Sequence, residues 1–457
     1  MGAGICNEEF DMPRRQHMVL SAFFYNPQGD HRLSWRHRAA PGREIFDLDY
    51  YRNLAEIAEE AKIDTIFIAD HLGIWDTFES GVAHYANARL EPLSLVAALS
   101  AVTKKIGFIV TASTSYNEPY NIARTFASLD HLSKGRVAWN VVTSALEEEA
   151  KNFGLSANIG HATRYQRAEE FLEVVIKLWD SWEDAALLMD KESGYFADPS
   201  KVHYLDHAST HFKVRGPLNV ARSPQGRPLI VQAGSSEAGR ELATDFADIH
   251  FAVFRNEEEG KQYRADVEMR LAKKGRTAES FLLLPGVLPV VASSRQEAGE
   301  RQAELEELMI DRVSLDLLSS WSGMDLSSHA LDGPMPDLPD EAKFDGWRTW
   351  LNIVKSETNS SATVRELARK IANTGSVPMV SGTVNDVADQ LEGWFSSGIA
   401  DGFNLMFPLL PDDWINFARS VVPELQRRGL FRTEYEEGTF RDRLSLRLPP
   451  NHFLGRG

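Results

Sequence analysis

Short apolar runs alternate with longer amphipathic stretches along this chain of 457 residues, and the alternation occurs eight times. The first run, "MVLSAFF" (18–24), reads as a strand. A helix follows from about Asp49, with Tyr50, Leu54, Ile57, Ala58 and Ala61 on one face. "DTIFIAD" (64–70), "IGFIVTAS" (106–113) and "RVAWNVVTS" (136–144) read as strands two to four, each followed by a helical pattern. "PLIVQAG" (228–234), "IHFAVF" (249–254), "FLLLPGVLPVVA" (281–292) and "DGFNLMFP" (401–408) read as strands five to eight. Strands joined in turn by helices pair in parallel, because a crossover returns the chain to the same edge.

Eight such units match the closure number of the (β/α)₈ TIM barrel, whose active site lies at the C-terminal ends of the strands. A doubly wound open sheet is the competing architecture. It usually has fewer strands, and no strand here is followed by Gly-x-Gly-x-x-Gly or a Walker-type Gly-Lys-Ser/Thr. The expectation is therefore one α/β barrel domain with long insertions at the C-terminal face. Two intervals exceed ordinary connections. Residues 187–226 read as an inserted hairpin. Residues 314–376, rich in Pro, Gly and Ser around "GMDLSSHALDGPMPDLPDE", read as a mobile, lid-like segment. Residues 430–457 form a C-terminal extension.

Composition narrows the partners. The formal net charge is −17 with no Lys/Arg block, which argues against nucleic acid. No apolar stretch is long enough to span a bilayer. The opening "MGAGICNEEFDMPRR" lacks the apolar core of a signal peptide, and Cys6 stands where a myristoylation signal needs Ser or Thr. Cys6 is also the only cysteine, so no internal disulfide forms, and a cytoplasmic location is expected.

Candidate chemistry sits at the strand ends: Asp70, Ser113, Ser144, Ser235 and Ser236. There is no paired-carboxylate or Gly-x-Ser-x-Gly arrangement for hydrolysis. A neutral polar ring suits an organic cofactor with many hydrogen-bonding atoms; each residue singly would also serve as a helix cap. After strand five the chain turns through Ala233-Gly234-Ser235-Ser236 with almost no side-chain bulk. Either that turn packs tightly, or an anion approaches its backbone and the following helix N-terminus. His161 and Tyr165, four apart, share one helix face able to hold a phosphate or serve as a surface pair. His203, His207 and His211 lie in strand-like sequence, where a spacing of four builds no ligand face, so no metal site is expected.

The blocks "FIAD", "TASTSYNEPYNIARTFASLDHLSKGRVAWNVVTS", "NFGLSANIGHATRYQRAEEFLEVVIKLWDSW" and "VRGPLNVARSPQGRPLIVQAGSSEAGRELA" are collinear with a known family, as is the terminal "ADGFNLMFPLLP". From about residue 18 to 448 the chain resembles bacterial-luciferase-like flavin monooxygenases of the nitrilotriacetate, EDTA and dibenzothiophene-sulfone monooxygenase branch. The resemblance implies a two-component system in which a separate NAD(P)H:flavin reductase supplies reduced FMN (FMNH₂). With O₂, a flavin C4a-(hydro)peroxide then inserts one oxygen atom into a small-molecule substrate. It also implies flavin contacts at Asp70, Ser113, His161, Tyr165 and Ser236, with Gly234 and Ser235 beside the phosphate. His31 and Ser144 are the implied catalytic residues. A homodimer or homotetramer is expected. Phe23, Phe24, Trp75, Phe78 and Phe254 lie near predicted strand ends, as substrate contacts or as ordinary packing. Two rivals remain at this point: a deazaflavin-type hydride-transferring oxidoreductase on the same scaffold, and a non-catalytic flavin-binding subunit.

Overall fold

The computed structural model describes residues 15–76, 81–340, 348–358, 362–374 and 377–454; Cys6, Phe78 and parts of the second insertion lie outside them. Among the described residues the strands in chain order are β1 (Val19–Phe24), β2 (Thr65–Ile68), β3 (Gly107–Ser113), β4 (Val137–Val142), β5 (His207–Ala208), β6 (Lys213–Val214), β7 (Leu229–Gln232), β8 (Ile249–Ala252), β9 (Leu282–Val291), β10 (Met379–Gly382) and β11 (Gly402–Met406). Eight of them close a ring in the order β1-β2-β3-β4-β7-β8-β9-β11, every neighbouring pair parallel. These are the eight strands read from the sequence, and the fold is the expected (β/α)₈ TIM barrel. β10 was not anticipated. It pairs with the far half of β9, Met379 opposite Leu288, outside the ring. Its "MVSG" has only two apolar residues, so only its contact with β9 identifies it.

The strands are buried on both faces, which is why they read as apolar runs and not as alternating ones. In β1, Leu20, Ala22 and Phe24 point out to the helix layer, while Val19 and Phe23 point into the barrel with Phe67, Ile109, Val231 and Leu284. Phe440, Leu444 and Leu446 of the C-terminal extension pack into this inner cluster. The first insertion contains the short antiparallel hairpin β5–β6, with His207 opposite Val214. No described helix is long and apolar enough to cross a membrane.

The interval 314–376 carries helices that its Pro, Gly and Ser content did not announce. Its described part is largely helical: Asp311–Ser322, Arg348–Glu357 and Val364–Thr374. Val313, Leu317 and Trp321 recur every four residues and pack against Val364, Leu367 and Ile371. Leu33, Trp75 and Leu146, from three loops above the barrel, join that same cluster. The Pro- and Gly-rich link between the helices masked a periodicity that is present in the sequence. The described part of the link is anchored at two points, where Val364 N–H donates to the Gly333 carbonyl at 3.0 Å and Arg365 N–H to the Leu331 carbonyl at 2.8 Å.

The ring is closed with a close backbone approach where β1 meets β11. Val19 lies opposite Gly402, whose φ is +156°, and a Cβ built on Gly402 would sit 1.9 Å from the Val19 carbonyl oxygen. Only glycine allows that approach. Gly402→Ala is expected to lower unfolding stability by about 2–3 kcal/mol, as for other forced overpacking. Gly299→Ala, in open space on the helix Arg295–Glu307, is expected to raise it by up to about 1 kcal/mol. Urea midpoints of both variants check the contrast.

Candidate active site

A cavity of about 320 Å³ opens at the C-terminal ends of the barrel strands. That is the usual size and place for a small-molecule site in this fold. Its walls come from the loops after β1, β2, β4 and β7, and Trp321 of the helix Asp311–Ser322 contributes from above.

One end is built from two helix starts. The helix His161–Trp179 begins after Gly160 without a side-chain cap, and His161, Arg164 and Tyr165 of its first turns line the cavity. The ring centroids of His161 and Tyr165 are 4.8 Å apart. Arg164, only 2% exposed, donates to the Ile159 carbonyl at 2.5 Å and so fixes the chain entering the helix. The second helix, Glu237–Phe246, is capped by Ser236, whose hydroxyl accepts from Gly239 N–H at 3.2 Å. Tyr165 Oη lies 3.4 Å from Ser236 Oγ, joining the two helix starts. Ser235 Oγ accepts from Val253 N–H at 3.3 Å, bracing the turn against the chain after β8.

Both readings of the small-residue turn find support here. A Cβ on Gly239 would come within 2.4 Å of the Gly234 carbonyl oxygen, so tight packing explains that glycine. At Gly234 a Cβ would meet the movable end of Gln232 at 2.6 Å and the Gly239 Cα at an ordinary 3.4 Å. Gly234, Ser235 and Ser236 themselves line the cavity, so their backbone is open to a ligand.

The middle of the cavity holds Ser144, a non-glycine residue at φ +48°. Its Oγ is 2.9 Å from Ser113 Oγ and 3.1 Å from Glu149 Oε1. Glu149, 1% exposed, also accepts from Leu72 N–H at 2.9 Å and Leu146 N–H at 3.1 Å. One buried carboxylate therefore braces the loop after β2 against the loop after β4. Burial pushes its pKa up, and these donors partly offset the rise.

The opposite end is formed by the loops after β1 and β2. Tyr25 Oη lies 2.8 Å from His71 Nδ1. Burial, then the nearby Arg89 and Arg32 cations, push the His71 pKa down to about 3, so the ring is neutral. Tyr25 therefore donates and Nδ1 accepts. Burial raises Asp70 to about 6 against the pull of Arg89. Arg89 donates to the Tyr25 carbonyl at 3.2 Å and lies 4.3 Å over the Tyr25 ring.

Of the residues picked from the sequence, Asp70, Ser144, His161, Tyr165, Gly234, Ser235 and Ser236 all line this cavity. Ser113, 2% exposed, stands directly behind Ser144. His31 does not line it; that histidine is 1% exposed, and its Nδ1 accepts from Leu33 N–H at 3.3 Å. Its neighbours Asp30 and Arg32 face the cavity instead. Backbone hydrogen bonds from Gly29 to Asn26 and from Ser34 to His31 make this a segment of tight turns, in which residue type alone does not say which side chain faces the cavity. Phe23 and Trp75 reach the cavity, whereas Phe24 and Phe254 pack in the helix layer against Trp414 and Trp394. His203 and His207 pair with Glu183 at 2.8 Å and Glu170 at 3.1 Å. Tyr25, Arg32, His71, Glu149 and Trp321 escaped the sequence reading. For Glu149 the run "LEEEA" looks like a solvated helix start, and nothing in it marks the third glutamate as buried.

The sequence profile of the luciferase-like monooxygenases matches residues 30–401. The chain is 41% identical over 443 residues to N-acetyl-S-(2-succino)cysteine monooxygenase of Bacillus subtilis (strain 168), covering 97% of this chain and all of that one. It is 43% identical over 439 residues to nitrilotriacetate monooxygenase component A of Aminobacter aminovorans, covering 94% and 96% of the two chains. A crystal structure of riboflavin lyase with modified FMN and substrate riboflavin superposes with a TM-score of 0.84 at 32% identity, over 94% of this chain and 95% of that one. The chain belongs to the luciferase-like family and is a flavin-dependent monooxygenase on a (β/α)₈ barrel.

Proposed function

We propose that this protein is the oxygenating component of a two-component system. It takes reduced FMN from a separate NAD(P)H:flavin reductase and, with O₂, adds one oxygen atom to a small organic substrate while the other leaves as water. The observation that carries the reading is the pairing of two helix starts at one end of the cavity. Free N–H groups, the Ser235 and Ser236 hydroxyls, His161, Arg164 and Tyr165 together make a donor set suited to a phosphate dianion. The rest of the cavity suits an isoalloxazine and its side chain: Val253, Leu288 and Met406 are apolar, while Asn140, Ser144 and Gln232 offer hydrogen bonds.

The reduced flavin, when bound, supplies the two electrons and activates O₂. The protein's part is to hold it, orient the substrate and keep water out. Ser144 is the proposed polar contact near the reactive edge, held by Ser113 and Glu149. Asp70 is proposed as a flavin contact from the β2 side. Trp321 and its helix form the proposed cover that excludes water. The division of labour is supported by the component A relative, named for one part of a larger system, and by the lack of a dinucleotide fingerprint in this chain.

Purified protein is expected to leave NADH and NADPH untouched by itself. With a flavin reductase, FMN and O₂ it is expected to convert a member of a panel containing nitrilotriacetate, N-acetyl-S-(2-succino)cysteine and dibenzothiophene sulfone. Under labelled O₂, one of the products read by mass spectrometry carries one oxygen atom from O₂. NADH oxidation without flavin contradicts the two-component reading.

A second expectation concerns the phosphate. Ser236→Ala removes a donor to a dianion, and a charge-assisted hydrogen bond is worth roughly 1.5–3 kcal/mol, so FMN affinity falls about tenfold or more. Riboflavin, without the phosphate, binds both proteins alike. Ser236 is also a helix cap, so Ser236→Thr, which keeps the hydroxyl, is expected to restore FMN binding. Fluorescence titration of both flavins checks this, and an equal loss for riboflavin removes Ser236 from the phosphate site.

A further inference from the structure

Arg32 lines the cavity on the side away from the two helix starts. Its guanidinium carbon lies 6.0 Å over the Trp321 ring, and among the described residues it carries no hydrogen bond and no ion pair. A cation facing a partly enclosed cavity without a partner is costly, because the low-dielectric surroundings replace little of its lost hydration. The other basic residue of this wall, Arg89, is held by the Tyr25 carbonyl and ring.

Asp30 lines the same wall, yet no ion pair joins it to Arg32. Burial pushes the Asp30 carboxyl well up from the usual range, toward the uncharged form, and outweighs the downward pull of the Arg32 charge. His71 is neutral, and with Tyr25 donating to Nδ1 its proton sits on Nε2. Among the described residues no acceptor meets that buried N–H at hydrogen-bond geometry. Asp30 Oδ2 is buried without a hydrogen-bond partner as well, but the two groups that face the cavity as fixed donors are the Arg32 guanidinium and His71 Nε2–H, and a ligand that completes them brings acceptors and negative charge. The wall is set apart from the proposed phosphate end: it comes from the loops after β1 and β2, whereas the helix starts follow β4 and β7.

We propose that Arg32 is the specificity-determining residue of this site and that the substrate is a small carboxylic acid, its carboxylate paired with the Arg32 guanidinium. The inference deepens the oxygenase reading above and rests on it for what fills the rest of the cavity. A planar guanidinium suits a carboxylate because it offers two parallel N–H donors. His71 narrows the choice further, since its Nε2–H on the same wall also asks for an acceptor.

The test is direct binding, which needs no turnover. Succinate and nitrilotriacetate are titrated calorimetrically against succinamide and 1,4-diaminobutane at matched ionic strength. The proteins are wild type, Arg32→Gln and Arg32→Lys, each flavin-free and with FMN saturating. Wild type is expected to bind at least one acid and neither uncharged nor cationic probe. Arg32→Gln is expected to lose about tenfold or more in acid affinity, with Arg32→Lys between, while FMN affinity stays equal in all three. Equal acid affinity in wild type and Arg32→Gln, no acid binding to wild type, or preference for the diamine overturns the assignment. A failure of wild type to bind FMN strikes the cofactor reading alone, because the flavin-free titrations still decide the role of Arg32.

Discussion

Closure of a purely parallel ring is the constraint on which the rest of the molecule depends. Parallel strands bury both faces, so the eight ring strands are predominantly apolar, and the last must come back against the first. Gly402 against the Val19 carbonyl makes that return a close backbone approach. Once the ring is shut, every strand releases its chain at the same pole. Loops separated by more than two hundred residues, such as those bearing Arg32 and Ser236, then share one cavity. Carboxylates brace these loops: Glu149 joins the loops after β2 and β4 through three short contacts, two of them to backbone N–H groups.

Burial is the common cause behind the site's electrostatics. It lifts the Asp30, Asp70 and Glu149 carboxyls and depresses His71. The result is a cavity in which acids drift toward neutrality and the imidazole stays uncharged, leaving fixed donors as its strongest features. Those donors collect at two ends. One is the pair of helix starts with Ser235, Ser236, Tyr165 and Arg164; the other is Arg32 with His71. A site polarised in this way can orient a long, asymmetric cofactor and a second, smaller ligand without a metal ligand set.

Strand identity and order were legible in the sequence because doubly buried strands are continuous apolar runs. The polar strand-end residues were legible because each directly follows such a run. β10 was missed because two apolar residues carry no pattern of their own. The helices of the interval after β9 were missed because Pro and Gly in its link outweighed a four-residue repeat running from Val313 to Trp321. His31 was chosen where Asp30 and Arg32 face the cavity, since side-chain direction in a tight turn depends on dihedral angles that residue type does not encode. Glu149 and His71 were invisible for a related reason: each owes its role to burial by other loops, a property of the closed ring and not of its own neighbours in sequence.

The central claim is that the cavity takes a flavin whose phosphate lies at the two helix starts. A crystal structure of the protein soaked with FMN tests it most directly. The account predicts phosphate density between the first turns of His161–Trp179 and Glu237–Phe246, within hydrogen-bond reach of Ser236 Oγ, with the isoalloxazine extending toward Ser144. Phosphate density at the Arg32 and His71 wall, or flavin outside the barrel cavity, contradicts it.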